Sequence, residues 1–325
     1  MRDAQSATQP VTQPVTQPVT QPVTHLALVG PTASGKSALA FEIARTHGDI
    51  EIVSIDSMQV YRGMDIGTAK ASVAERAEIP HHQIDVVDPT DDYSVARFQT
   101  EARAAVAAIA ARGNRALLVG GTGLYVRAVI DDYCFAGEDP VARAELTERV
   151  ATPDGLRAAY AELVARDPAA AGRIEPDNVR RIVRALEVMG ITGRPFSESR
   201  LPPGGPTVFP VAIAGVWLTR AELADRITQR IEVMREGGLV EEVDALLSQG
   251  ELSRSAAQAI GYREIIDVRA GRLTIDEAFT EMVRRTRSFA RRQRMWFRRD
   301  PRITWWGALD SPSAILPGLL AAWAQ

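Results

Sequence analysis

The chain has 325 residues, 46% of them hydrophobic and 24% charged, with a formal net charge of −3. That length suits one large domain, or a core with a second lobe, and allows a substantial buried interior. The charge argues against a protein that holds nucleic acid through its overall field, and no stretch approaches the roughly 20 apolar residues of a membrane span.

Residues 8–24 repeat TQPV with proline in every unit. This reads as a disordered, partly polyproline tail over residues 1–24, and it lacks the apolar run of a signal peptide. From His25 the pattern changes. HLALVG is a buried strand, SALAFEIARTHG a helix, EIVSID (51–56) a second strand and QIDVVD (83–88) a third. SVARFQTEARAAVAAIAARG is a long helix with Ser94 as its N-cap, and RALLVGGTGLY (115–125) is a strand entering a glycine turn. This alternation predicts an α/β fold with a parallel sheet between helical layers.

Residues 140–200 carry only helical patterns. LPPGGPT (201–207) then reads as a linker, and VAIAGVWLT (211–219) as a return to the sheet, with Trp217 in the core. The predicted organisation is a core over 25–135 and 205–325, interrupted by an all-helical lobe over 136–204. C-terminal helices follow, the last running from Ile275 to about Arg299. For Trp305-Trp306 the pattern leaves an edge strand and a packed tail equally open.

Positive charge is unevenly spread. Residues 284–302 hold nine arginines and one acid, Asp300, a local field suited to RNA phosphates. Phe289, Trp296 and Phe297 within that run read as a face buried on the sheet. Only two lysines occur, Lys36 and Lys70. Lys70 reads as a solvated surface lysine no less than as a functional one. Cys134 is the single cysteine, so no intrachain disulfide forms and a reducing cytoplasm fits. Its expected place is buried. His81 and His82 have no partners at metal-ligand spacing and read as structural.

Gly30-Pro31-Thr32-Ala33-Ser34-Gly35-Lys36-Ser37 matches G-x-x-x-x-G-K-[ST] at every fixed position, after a strand and opening a helix. Such a loop turns backbone N–H groups, a helix N-terminus and a lysine onto phosphate oxygens, with the hydroxyl at its end available to Mg²⁺. It does not say what is transferred. An NTPase would add a strand ending in a metal-holding aspartate; Asp56 is the best candidate, and it is either such a metal-shell acid or another group at the carboxyl edge where open α/β sheets place their chemistry.

GPTASGKS, SIDSMQVYRGMDIGTAK, PHHQIDVVDP, LLVGGTGLYVRA, RRIVRALEV and AIGYRE, in this order over about residues 25–300, together resemble the tRNA dimethylallyltransferase (tRNA isopentenyltransferase) family. The resemblance implies transfer of a dimethylallyl group from dimethylallyl diphosphate to N6 of the adenosine at tRNA position 37, beside the anticodon, in tRNAs reading codons that begin with U. It also implies Mg²⁺, a monomer and an anticodon stem-loop gripped by the lobe and the basic helices. By the same resemblance, residues 30–37 hold the diphosphate and Ser37, where threonine is common, the metal. Asp56 is the catalytic acid that takes the amine proton, and Thr122 and Arg230 act beside the reacting groups. Ser57, Met58 and Gln59 line the base pocket. Arg143, Arg180, Arg181, Arg184, Gln258, Gly261, Tyr262 and Arg263 fall in regions that touch tRNA. Gly120, Gly121 and Gly123 shape their turn. Three rivals explain less: a P-loop small-molecule kinase, an adenylate isopentenyltransferase, and a non-catalytic RNA binder with a relic loop.

Overall fold

The computed structural model describes residues 25–199, 203–307 and 312–323. The TQPV tail and the first residues of the linker lie outside them. In chain order the elements are β1 His25–Val29, α1 Lys36–Thr46, β2 Ile50–Ile55, α2 Val73–Glu78, β3 His81–His82, α3 Val95–Ala111, β4 Arg115–Gly120 and α4 Gly123–Ile130. Next come α5 Pro140–Arg149, α6 Pro153–Arg166, α7 Pro168–Ala171 and α8 Val179–Thr192. Then follow β5 Val211–Trp217, α9 Arg220–Glu236, α10 Leu239–Gln249, α11 Arg254–Ala257, α12 Tyr262–Arg269, α13 Ile275–Phe297, β6 Ile303–Gly307 and α14 Leu316–Trp323.

Six strands form one parallel sheet in the order β3-β2-β4-β1-β5-β6. Every residue of β1 and β2 is buried, so both faces of these strands are covered, as parallel sheets require. The central strand β1 lies between β4 and β5, and the carboxyl ends of β1, β2, β4 and β5 therefore share one edge. The Trp305-Trp306 segment is the edge strand β6, parallel to β5.

The expected strand over 83–88 is not formed. β3 ends at His82, because Gln83 (φ 62°) and Asp85 (φ 56°) turn into left-handed backbone that breaks a ladder. Tyr93 holds Gln83, and Lys70 and Arg76 hold Asp85. Val87 alone makes a parallel bridge, to Tyr61. His81 and His82 are structural, as expected: Nδ1 of His81 meets the Ile79 carbonyl at 2.7 Å and Nε2 of His82 meets buried Glu51 at 2.7 Å.

The chain divides into two compact units, residues 132–205 and the remainder. The 132–205 unit contains α5 to α8 and, among its described residues, no strand. Its helices begin at side-chain caps. Asp139, Thr152 and Asp167 cap helices whose first residue is proline, and Asn178 caps α8. Leu163, Ile182, Ala185 and Leu186 centre a hydrophobic core of its own. Cys134, expected buried, is exposed. It sits in the irregular segment before Pro140, where no packed element covers it.

Candidate active site

Strand β1 delivers the chain to Gly30, and the loop then closes on itself. Ala33 (φ 62°) and Gly35 (φ 85°) adopt left-handed backbone, which Gly35 does without steric cost. Helix α1 starts at Lys36 with no side-chain cap and no acid in its first turn. Its first N–H groups and its positive dipole end are therefore presented to whatever the loop encloses. Ser34 is fully buried, yet its hydroxyl has no hydrogen-bond partner among the described residues. A buried orphan of this kind is costly unless a ligand satisfies it.

Lys36 Nζ donates to the Pro31 carbonyl at 3.3 Å. Burial, then the nearby Arg230 cation, pull its pKa down to about 8, with Asp56 opposing them. Arg230, on α9, is likewise lowered by burial and raised by Asp56. Two half-buried cations thus lie in the field of one carboxylate, an arrangement that gains strongly from a polyanion. Among the described residues no group of three or more His, Cys, Asp or Glu side chains could cage a metal. The donor set fits an ion that arrives with a diphosphate and takes an exposed loop hydroxyl, Ser37, as its protein ligand.

Asp56 follows β2 on the same sheet edge. Its Oδ1 accepts the Met58 N–H at 2.8 Å, which fixes the carboxylate by a local turn. Ser57, Met58 and Gln59 are half-buried beside it. Gln59 is fully engaged: Oε1 accepts the Ser54 hydroxyl at 2.7 Å, and Nε2 donates to the carbonyls of Thr68 and Ala69 at 3.2 and 3.3 Å. Thr122 precedes α4, and its hydroxyl makes no capping bond. Burial pushes the nearby Tyr125 hydroxyl well up, with Tyr61 and Asp56 adding to the shift. The loop, Asp56, Thr122 and Arg230 are thus carried by β1, β2, β4 and α9.

Four expected contact residues are not simple surface groups. Tyr262 is 0% exposed and donates to Glu242 at 2.5 Å, so its ring faces inward. Gly261 (φ 102°) is buried and starts α12, while Gln258 and Arg263 are exposed and bonded to one another at 3.2 Å. Within the 132–205 unit, Arg180 and Arg181 are exposed. Arg143 and Arg184 instead clamp Glu187, whose side chain is fully buried. Lys70 is not a solvated lysine: its side chain is 1% exposed and its ammonium binds Asp65, Asp85 and the Tyr61 carbonyl, each at 2.6 Å.

In the arginine run, Arg284, Arg285 and Arg302 are ion-paired. Phe297 is buried, and half-buried Trp296 packs on Gly123, in keeping with a sheet-facing stripe. Trp217, expected in the core, is only half-buried at the end of β5, where Arg294 stacks 4.0 Å over its ring. The run also contains a site residue that the sequence reading missed. Gln293 is buried, and it links the phosphate loop to the turn after β4. Its signal was its spacing, since Thr286, Ala290, Gln293 and Phe297 form the buried stripe of α13.

Comparison with known proteins places this geometry. The model of the IPP transferase family matches residues 59–300, and that of isopentenyl transferases matches residues 23–82. A tRNA dimethylallyltransferase of Kineococcus radiotolerans is 50% identical over 291 residues, 88% of this chain and 91% of that protein. One of Streptomyces coelicolor is 50% identical over 281 residues, 86% and 89% of the two chains. The crystal structure of the tRNA isopentenylpyrophosphate transferase from Bacillus halodurans superposes with a TM-score of 0.67 at 38% identity, covering 93% of this chain and 96% of that one. A eukaryotic dimethylallyltransferase crystallised acting on tRNA gives a TM-score of 0.76 at 27% identity, over 91% and 77%. With three-quarters of its length matched by the family model, and 50% identity to such relatives over 86–88% of its length, this chain belongs to the IPP transferase family.

Proposed function

We propose that the protein is a tRNA dimethylallyltransferase: it moves a dimethylallyl group from dimethylallyl diphosphate to N6 of the adenosine at tRNA position 37, in tRNAs reading codons that begin with U, and releases diphosphate. The observation that carries this reading is the grouping of Asp56 with two half-buried cations, Lys36 and Arg230, at the mouth of a phosphate loop. A kinase needs the loop, but not a carboxylate fixed by a local turn beside half-buried Ser57, Met58 and Gln59.

The exocyclic amine of adenine is a weak nucleophile, since its lone pair is delocalised into the ring. It needs a base at the N–H, and Asp56 serves: Oδ1 is pinned by Met58, and the other oxygen accepts the proton as the N–C bond forms. Lys36, Arg230, the loop N–H groups and the Ser34 hydroxyl receive the charge that develops on the departing diphosphate. Ser37 would hold a Mg²⁺ bound with that diphosphate, and the ion would supply countercharge there. Thr122 stands at the reacting edge with a hydroxyl free of capping duty. The target base leaves its stack to reach Asp56, at a cost of a few kcal/mol in a single-stranded loop.

The helical lobe over 136–204 takes part in gripping the tRNA, a role that exposed Arg180 and Arg181 support. Gln258 and Arg263 serve likewise at the surface. A tRNA substrate and a single thiol favour a cytoplasmic setting, and we take the enzyme to act as a monomer. No helix among the described residues is long and apolar enough to cross a membrane.

The test is incubation of purified protein with Mg²⁺, dimethylallyl diphosphate and unmodified tRNA, read by nucleoside mass spectrometry with Asp56→Ala alongside. N6-dimethylallyladenosine from the wild type, and a loss of about 10²–10⁴-fold in the variant, is the expected result. A preparation that makes none, yet phosphorylates a small molecule from ATP, sinks the reading in favour of a kinase.

A further inference from the structure

The segment Asp65–Lys70 lies against the candidate site and is held from behind. Three successive backbone N–H groups, of Asp65, Ile66 and Gly67, point at the carboxylate of Glu242 on α10. The first two meet Oε2 at 2.9 and 2.7 Å, and the third meets Oε1 at 3.2 Å. Tyr262 adds a fourth donor, its hydroxyl 2.5 Å from Oε1. Consecutive N–H groups that converge in this way make an anion-binding concavity, and here the anion is the protein's own. Gly67 permits the arrangement, since a Cβ there would stand 2.5 Å from the Tyr262 ring.

What this fastening fixes lies directly in the site. The next two carbonyls, of Thr68 and Ala69, receive the amide of Gln59, whose other end holds Ser54, two residues before Asp56. The Thr68 carbonyl also receives Arg230 Nη2, at 3.4 Å. One backbone turn therefore orients the residues after the base and the arginine facing the leaving group.

We infer that Glu242 and Tyr262 are positioning residues for the reaction: they clamp the 65–67 turn, and through Thr68 and Ala69 they set Gln59 and Arg230. The inference rests on the prenyl-transfer reading above. It gives buried Tyr262 a role exercised from inside the protein, in place of a contact with RNA.

The experiment compares wild type, Glu242→Ala, Glu242→Gln and Tyr262→Phe as full chains, with dimethylallyl diphosphate, Mg²⁺ and unmodified tRNA. It measures kcat, the KM of each substrate, tRNA Kd by filter binding, and Tm. Glu242→Ala is expected to lower kcat about 100-fold while tRNA Kd moves less than about threefold. Tyr262→Phe loses about fivefold in kcat, having removed one donor of four. Glu242→Gln recovers much of the rate. Its oxygen still takes the Asp65 and Ile66 N–H groups, and its NH₂ donates to a Tyr262 hydroxyl that reverses its role; only the Gly67 N–H, the longest of the four contacts at 3.2 Å, loses its acceptor. An unchanged kcat in Glu242→Ala overturns the inference. So does Glu242→Gln no faster than Glu242→Ala with Tm equally depressed, which would mark a purely structural carboxylate. A Tyr262→Phe protein with weaker tRNA binding and unaltered kcat overturns it too, by putting the ring on the RNA. A wild type that makes no product refutes the reaction reading itself, and the clamp falls with it.

Discussion

Gln293 accepts the Thr32 N–H through Oε1 at 2.9 Å and donates to the Gly121 carbonyl through Nε2 at 2.8 Å. One amide on the basic helix thus sets the spacing between the phosphate loop and the turn that carries Thr122. Glutamine suits the place because it offers an acceptor and a donor from one planar group. Gln293→Leu leaves the buried Gly121 carbonyl unpaired, at about 1–3 kcal/mol, and the half-buried Thr32 N–H unpaired at a smaller cost. The expected result is a lower Tm together with a raised KM for dimethylallyl diphosphate. Gln293→Glu keeps the acceptor but turns a carboxylate oxygen toward the Gly121 carbonyl and sets a negative charge beside the diphosphate, so donor KM rises further. Equal donor KM in wild type and both variants would remove Gln293 from the site.

Lys36 makes donor binding depend on pH. In the free protein its pKa is lowered to about 8, chiefly by burial and then by Arg230. The diphosphate prefers the ammonium, so binding raises that value. Donor affinity is therefore fully present below about pH 8. Above it affinity falls, by up to about tenfold per pH unit, as a proton must be taken up on binding. The kcat/KM for dimethylallyl diphosphate should show a one-proton decline centred near pH 8, while kcat, which reports the bound state, stays flat there. Lys36→Arg keeps its charge across this range and should move the decline out of it.

The parts legible in advance were those governed by local rules. The phosphate loop needs glycine and lysine at fixed spacing, and the Ser94 cap follows from four consecutive residues. The parts that were not legible depend on distant partners. QIDVVD alternates like a strand, yet Lys70 and Arg76 hold Asp85 in left-handed backbone. Lys70 looks solvated until Asp65 and Asp85 close around it. Gln293 meets Thr32 across 261 residues, a pairing that no local pattern announces.

Gly120, Gly121 and Gly123 illustrate a subtler gap, because none adopts positive φ. Close approach is what they supply. A Cβ on Gly120 would stand 2.1 Å from the Ile55 carbonyl, and one on Gly123 would stand 2.1 Å from Trp296 Cδ1. Gly123→Ala should cost about 1–3 kcal/mol by overpacking, read as a drop in Tm. Trp296→Leu makes room, so the two substitutions should be clearly non-additive in a double-mutant cycle. Strict additivity would mean that Trp296 does not abut the turn.

Arginines of the helical lobe divide by their partners, and the division predicts different phenotypes. Arg180 and Arg181 are exposed, with no carboxylate within ion-pair distance among the described residues. If they meet phosphates, Arg180→Ala with Arg181→Ala weakens tRNA binding and reduces the slope of log K against log salt by about 2. Lobe stability should hardly move. Arg143 is instead bound at 3.0 Å to Glu187, whose side chain is 0% exposed. Removing it leaves Arg184 as the one cation, among the described residues, on a buried carboxylate. Arg143→Ala should therefore cost about 1–2 kcal/mol of stability, a figure kept low because Arg143 is itself 40% exposed. Its salt slope should stay near that of wild type. Filter binding at four salt concentrations, with thermal melts of the same proteins, separates the two classes. A reduced slope for Arg143→Ala without loss of Tm would move that residue from the clamp to the RNA.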